Sequence, residues 1–281
     1  MPSGTLFVVA TPLGHLGDLT ARAAETLRRV PVVVAEDTRH SRKLLSHLGA
    51  HPRLLSSHAH SGPGSARAVL ASLGEGEDVA LVTDAGTPAI SDPGAELVRA
   101  VRKAGFGVVP IPGPSAVAAA LSAAGFPADR YLFLGFLPRK GSERTRFLAR
   151  IAREEWTTVL FEAPGRVEAL LADLAAVCGG ERSAAVAREL TKIHEEFRHG
   201  SLEELGAHYR RDGQGARGEC TVLIAGAAPA PEDDSTALAG PAAARLLEAG
   251  VSRKEVAALL TDLFGVPRND AYRLAVEQPK T

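Results

Sequence analysis

Apolar positions in the first 113 residues fall into two alternating rhythms. Short β-branched runs at 5–10, 32–35, 79–83 and 108–111 are apolar without interruption, the pattern of strands covered on both faces. Between them, apolar residues recur at helical spacing. At 19–30, Leu19, Ala23, Leu27 and Val30 share one face, with Asp18 at the N-cap position. Later helices stop at Gly49, Gly74, Gly105 and Gly125, since glycine adopts the left-handed conformation that ends a helix. Such βα alternation predicts a largely parallel sheet with its functional loops at the carboxyl ends of the strands.

A second series follows Pro114, with strands at 131–136, 157–161, 184–187 and 221–225 and helices at 142–153 and 166–177. It predicts a second α/β domain. Residues 228–235 read Ala-Pro-Ala-Pro-Glu-Asp-Asp-Ser, where proline and acid interrupt every apolar period, as in a linker. Beyond it the pattern is purely helical. Gly250 and Gly265 cut the tail into three short helices, and Ser252-Arg253-Lys254-Glu255 is a capping box. The expected organisation is α/β domains at 1–113 and 114–228, a linker at 229–235 and a helical domain at 236–281. Three short helices with the turn Phe264-Gly265-Val266-Pro267 resemble a helix-turn-helix. Yet six basic against eight acidic residues from Glu232 to Thr281 suit a structural appendage equally well.

Composition adds limits. A chain of 281 residues, 45% hydrophobic, is long enough for two cores. Its two cysteines, Cys178 and Cys220, form no CxxC or Cys/His metal spacing, so a disulfide framework and a zinc site are not expected and a reducing cytoplasm fits. No basic segment leads into an apolar run after Met1, and no stretch approaches membrane-spanning length. A soluble, cytoplasmic protein without a signal peptide is therefore expected. The net charge of −1 hides a local imbalance: Arg139, Lys140, Arg144, Arg146, Arg150 and Arg153 oppose only Glu143 in residues 139–153. That segment suits an anionic partner.

Chemistry is concentrated at strand ends. Residues 82–94 read Val-Thr-Asp-Ala-Gly-Thr-Pro-Ala-Ile-Ser-Asp-Pro-Gly, a loop placed where α/β enzymes bind ligands. Gly86 lets the backbone approach a ligand, Thr83 and Thr87 add hydroxyls, and Asp84 accepts hydrogen bonds; Asp92 and Pro93 suit an N-cap and first helical position. Residues 11–18 form a turn like a phosphate site but lack the P-loop lysine. Residues 35–40 read Ala-Glu-Asp-Thr-Arg-His: the carboxylates and arginine either polarise a substrate or form a salt bridge and a helix cap. The bare backbone of Pro110-Ile111-Pro112-Gly113-Pro114-Ser115-Ala116 suits a flat adenine, a methionine tail or a hinge. Residues 161–166 and 187–197 carry charges just past short strands, as a cleft wall does. His47 and His51 are four apart, but Gly49 and Pro52 prevent a regular helix there, and His58-Ala59-His60 lacks a nearby third ligand, so no metal site is expected; no nucleophile elbow or Cys/His pair marks covalent catalysis.

In order along the chain, Thr-Pro-Leu-Gly-His-Leu-Gly-Asp-Leu-Thr, Ala-Glu-Asp-Thr-Arg-His-Ser, Thr-Asp-Ala-Gly-Thr-Pro-Ala-Ile-Ser-Asp-Pro-Gly, Pro-Gly-Pro-Ser-Ala, Leu-Pro-Arg-Lys-Gly and Arg-Glu-Leu-Thr-Lys resemble the ribosomal RNA small subunit methyltransferase I family of the tetrapyrrole methylase superfamily. The resemblance covers residues 5–225. It implies two α/β domains with S-adenosylmethionine, the methyl donor, in the cleft between them, no metal, usually a homodimer, and a helical C-terminal domain. It also implies methyl transfer to the ribose 2′-hydroxyl of a cytidine in the decoding region of small-subunit ribosomal RNA, free or in the assembled subunit.

Carried over by position, the cofactor contacts are Pro12, Leu13, Asp84, Gly86, Thr87, Ser115, Ala116, Phe161, Ala187 and Gly218. Glu36 and Asp37 are candidates to orient or deprotonate the hydroxyl, with Arg39 on phosphate or holding the carboxylates. Lys140, Arg144, Arg146, Arg188 and Lys192 are candidate RNA contacts. The chain departs from the family pattern at His15, Ser61 and Gly165, where Asn, Asn and His are usual. Rival readings are a tetrapyrrole C-methyltransferase and a non-enzymatic nucleic-acid-binding protein that uses the helical tail.

Overall fold

The continuous apolar runs of the N-terminal half become one sheet in the computed structural model, which describes residues 3–56, 63–212, 218–228 and 235–277. In chain order its elements are β1 (Thr5–Val9), α1 (Ala21–Arg29), β2 (Val32–Ala35), α2 (Thr38–His47), β3 (Arg53–Ser56), α3 (Pro63–Gly74), β4 (Val79–Leu81), α4 (Ala95–Lys103) and β5 (Gly107–Ile111). The strands lie in the order β3-β2-β4-β1-β5, all parallel. Helices cover both faces, which is why the central strands carry no polar positions. Val33 and Ala35 pack with Leu27 and Leu45 from α1 and α2, while Val32 and Val34 pack with Leu73 and Leu97 from α3 and α4.

Three local expectations are corrected. The cap of α1 is Thr20, whose hydroxyl accepts from the Ala23 N–H at 3.2 Å, because Leu16–Asp18 form a separate 3-10 turn. Asp92 does not cap α4, which starts after Gly94 at φ 128° without a side-chain cap. The stop expected at Gly74 falls later, since Gly74 is still helical and Gly76 takes φ 88°.

The chain then passes through α5 (Ala116–Ala124) into β6 (Tyr131–Phe136), α6 (Ser142–Arg153), β7 (Thr157–Glu162), α7 (Val167–Cys178), β8 (Ser183–Arg188), β9 (Glu196–Ser201), α8 (Leu202–Asp212) and β10 (Cys220–Ile224). This sheet is mixed, in the order β6-β7-β10-β8-β9, with only β6 and β7 parallel. One face packs on α6, α7 and α8 through Leu148, Leu170 and Leu202. The other packs on α5, whose Val117, Ala120 and Leu121 meet Val159, Ala185, Ala187 and Leu223. Helix α5 follows the last strand of the first sheet, so its N-terminus lies where the two sheets meet.

Both sheets belong to one compact unit, Met1–Gly226, and Ala227–Thr281 form a second. The second unit is α9 (Ser235–Glu248), α10 (Arg253–Phe264) and α11 (Arg268–Glu277) around Ala243, Val256, Leu260 and Ala271. Ser252 and Glu255 form the expected reciprocal capping box. His58, His60 and Ser61, and the linker positions 229–234, lie outside the described residues. Among the described residues no helix is long and apolar enough to cross a membrane.

Candidate functional site

Two adjoining cavities open at the carboxyl ends of the strands. The loop after β1 is stitched to the loop after β4: Thr11 N–H donates to the Gly86 carbonyl at 2.8 Å, Gly86 N–H donates back at 3.1 Å, and the buried Thr11 hydroxyl donates to the Thr83 carbonyl at 3.0 Å. The Thr87 hydroxyl donates to the Pro114 carbonyl at 3.0 Å, which adds the loop after β5. This closeness depends on Gly86. Its φ is 83°, and a Cβ there would sit 3.2 Å from Leu13 Cδ2.

The first cavity, about 280 Å³, is walled by small residues (Ala85, Gly86, Ser115, Ala116) and apolar faces (Phe136, Phe161). No lysine, arginine or histidine is among its lining residues, whereas Asp92, Glu162 and Glu219 are. Glu162 is committed: it is buried, pairs with Arg166 at 3.2 Å and accepts from the Ala163 N–H at 2.8 Å. Asp92 accepts from the Thr83 hydroxyl at 2.9 Å. Burial raises its pKa, and the charges of Asp84 and Glu219 push it the same way. Its loop holds Ala89 at φ 68° and Ser91 at φ 59°, a strained conformation of the kind found at functional sites. Burial pushes the Cys220 thiol up to about 12, so this lining residue is a protonated thiol, not a nucleophile.

The second cavity, about 550 Å³, shares Leu13, Ala85 and Glu219 with the first but has a different chemistry. His40, Lys43 and Lys192 line it, with Asp84. The Asp37 N–H donates to Asp84 Oδ1 at 3.3 Å, and Lys192 bonds Glu189 at 2.8 Å and Glu219 at 3.4 Å. Burial alone would raise the Glu189 pKa, but its bond to Lys192 outweighs this and holds it low. For Lys192, burial is likewise outweighed by Glu189 and Glu219, and its pKa is raised. The buried Ser41 hydroxyl lines the same cavity and has no hydrogen-bond partner among the described residues. An orphaned buried donor is costly unless a ligand group meets it.

Of the residues singled out for the cofactor, Leu13, Gly86, Thr87, Ser115, Ala116, Phe161 and Gly218 line the first cavity. Pro12 and Asp84 line the second. Ala187 lines neither; it is 1% exposed, inside the sheet beside Val117 and Phe161. The loop 36–39 lines neither cavity. It borders the second through the Asp37–Asp84 bond, while Asp37 also caps α2 by accepting from the Arg39 N–H at 2.8 Å. The Arg39 side chain is 87% exposed. Arg144 is spent on the fold, bonded to Asp173 at 2.6 Å and to the Pro138 carbonyl at 3.0 Å. Arg188 lies 3.8 Å from Glu196; Lys140 and Arg146 are exposed. Sequence reasoning missed Asp92, which its Asp-Pro-Gly context disguised as a cap. Within Ala-Glu-Asp-Thr-Arg-His-Ser it singled out Glu36, Asp37 and Arg39 and gave no role to His40 or Ser41, and it missed Lys43, which ordinary helical spacing on α2 does not mark.

The profile of the family described as Tetrapyrrole (Corrin/Porphyrin) Methylases matches residues 5–206. The chain is 46% identical over 281 residues to a "Ribosomal RNA small subunit methyltransferase I" of Pseudomonas aeruginosa, covering 99% of both chains. It is 44% identical over 275 residues to the protein of that name from Escherichia coli O157:H7, covering 98% of this chain and 96% of the other. Among solved structures, a cobalt precorrin-4 methyltransferase aligns with TM-score 0.62 at 19% identity over 79% of this chain and 94% of its own. A uroporphyrin-III C-methyl transferase from Thermus thermophilus, complexed with S-adenyl homocysteine, aligns with TM-score 0.57 at 19% identity over 79% and 97%. At these identities the two structures speak for the fold alone. Among the described residues no cluster of His, Cys, Asp and Glu is arranged to hold a metal ion.

Proposed function

The chain belongs to the tetrapyrrole methylase family, in its ribosomal RNA small subunit methyltransferase I branch; from that premise we propose that its two cavities hold, respectively, the donor and the acceptor of an S-adenosylmethionine-dependent methylation of ribosomal RNA. One observation carries the assignment of cavities: the first is lined by carboxylates and no basic side chain, while the second sets His40, Lys43 and Lys192 beside Asp84 and Glu219. S-adenosylmethionine is a cation without phosphate. Ribose in RNA is flanked by phosphates.

The residues present fit the donor. Glycine and alanine leave room for a flat adenine against the paired rings of Phe136 and Phe161, the α5 N-terminus at Ser115 and Ala116 suits a carboxylate, and Asp92 with Glu219 favours positive charge. When bound, the sulfonium supplies an activated methyl group. The protein's task is then to align the ribose oxygen and to take up its proton. Asp84, on the acceptor side of the shared wall and fixed by the Asp37 N–H, is the group we assign to orient or deprotonate the 2′-hydroxyl. Glu36 and Asp37 act by holding that loop, and Arg39, Lys43 and Lys192 by meeting flanking phosphates.

The acceptor we propose is a cytidine 2′-oxygen in the decoding region of the small-subunit RNA. Incubation with radiolabelled S-adenosylmethionine and small ribosomal subunits, followed by mass spectrometry of the digested RNA, should find the methyl on ribose; a base-methylated product overturns it. The same reading makes the chain a homodimer, and sedimentation should show twice the chain mass at micromolar concentration. A stable monomer there removes that part.

A further inference from the structure

Away from both cavities, helix α6 turns an arginine face outward. Arg146, Arg150 and Arg153 recur at helical spacing on its exposed side, while Leu148 and Ile151 are buried. Together with Glu154, Glu155 and Trp156 they line a groove of about 620 Å³. Trp156, the chain's one tryptophan, is 44% exposed there. Arg130 lies 5.7 Å from its ring centroid, a cation–π contact. The Glu154 carboxylate is engaged locally, accepting from the Trp156 N–H at 3.3 Å and lying 3.9 Å from Arg150. Arg130, Arg146 and Arg153 make no ion pair among the described residues.

The course of the chain connects this groove to the first cavity. Phe136, at the end of β6, lines that cavity; Arg139 and Lys140 follow it exposed, and α6 then runs 12 residues back to the start of β7 beside Trp156. That is about 18 Å of helix, with basic side chains at both of its ends.

We propose that this groove is a docking surface for an unpaired stretch of the substrate RNA, in which Trp156 stacks on a nucleobase flanking the target and Arg146 and Arg153 meet phosphates. The proposal rests on the ribosomal RNA reading and names where the strand lies outside the reaction cavities. An exposed ring backed by arginine gives a sequence-tolerant stacking platform, and the net positive rim supplies the attraction to a backbone. A duplex keeps its bases stacked internally and has no free base face to offer.

Because the chain has a single tryptophan, its emission reports the groove directly. Titration of the full chain with a short single-stranded fragment of small-subunit RNA should quench that emission, and the same strand annealed to its complement should quench it less. Trp156→Ala should weaken single-strand binding about tenfold, an effect of base stacking, without changing its salt dependence. Trp156→Phe should restore most of it. Arg146→Gln and Arg153→Gln should each lower the slope of log K against log salt by about 0.7.

Unquenched emission with unchanged affinity in Trp156→Ala overturns the proposal. So does emission that changes with protein concentration before RNA is added, which marks the groove as a contact between two copies. The two readings fail separately: methyl transfer to RNA with an inert groove leaves the function and removes the groove, and quenching by RNA that is never methylated does the reverse.

Discussion

The first cavity is lined by small or apolar side chains with carboxylates and no basic group; the second is lined by strand-end loops too, at Thr11 to Gly14 and Thr83 to Ala85, and adds His40 and Lys43 from α2 and Lys192 from the loop after β8. On the proposed assignment the difference follows from the two ligands. A cofactor seat that accepts one molecule is best fixed by strand-end backbone, which cannot relax, and Gly86 at φ 83° sets its shape. A nucleic-acid seat needs reach and charge, which helices and loops supply. The contrast separates binding of donor from acceptance of RNA, and substitutions on the two sides should part cleanly.

The largest separation is expected at Asp84. Asp84→Asn keeps an acceptor for the Asp37 N–H but gives up the base, so single-turnover methyl transfer should fall about 10²–10⁴-fold while calorimetric affinity for S-adenosylmethionine stays near wild type. A parallel loss of affinity would merge the two cavities into one site. On the other side, Gly86→Val forces a side chain onto Leu13 at a positive φ; donor affinity should drop at least tenfold, roughly 1.4 kcal/mol or more. Unchanged calorimetry in a folded variant would take this loop out of the site.

Asp92 gives a smaller effect of two signs. Burial raises its pKa above the usual 3.8, so the folded chain binds that proton more tightly than the unfolded one. Stability therefore falls as pH rises from 3.8 through the raised value, and the cost is fully present above it. Asp92→Asn should raise the melting temperature of the ligand-free protein at neutral pH by about 1–3 °C, with no gain near pH 3, while weakening S-adenosylmethionine binding several-fold. A variant that melts lower at neutral pH would contradict the burial argument. Smallest is Lys43→Ala: donor affinity unchanged, and the salt slope of RNA binding reduced by about 0.7. An unchanged slope would place RNA phosphate elsewhere.

What the sequence revealed follows from how each sheet is covered. The first sheet's strands are buried on both faces, so β2 reads Val-Val-Val-Ala and β10 of the second Cys-Thr-Val-Leu-Ile, runs that advertise themselves. Two of the four edge strands do not. β3 and β9 each expose one face or edge, with Arg53, Glu196 and Arg198 among their residues, and neither shows an apolar run. At the site, the glycine- and proline-rich loops were legible because their backbone chemistry is local. Ala187 was misplaced on the lining because a strand residue's neighbours across the sheet, here Thr221 and Phe197, are not local. The loop 36–39 was legible as charged, but its bond to Asp84 was not, since only the fold places the Asp37 N–H against that carboxylate.

Leu13, Ala85 and Glu219 border both cavities, so a change of shape at this wall reaches both. Whatever shift of Leu13 one ligand induces alters the space available to its neighbour, and linkage makes the consequence reciprocal: the factor by which donor changes RNA affinity is the factor by which RNA changes donor affinity. The spent donor has lost the positive sulfonium that the acidic wall favours. With donor and RNA seated as proposed, its departure and the release of methylated RNA would be felt across the same wall of three residues.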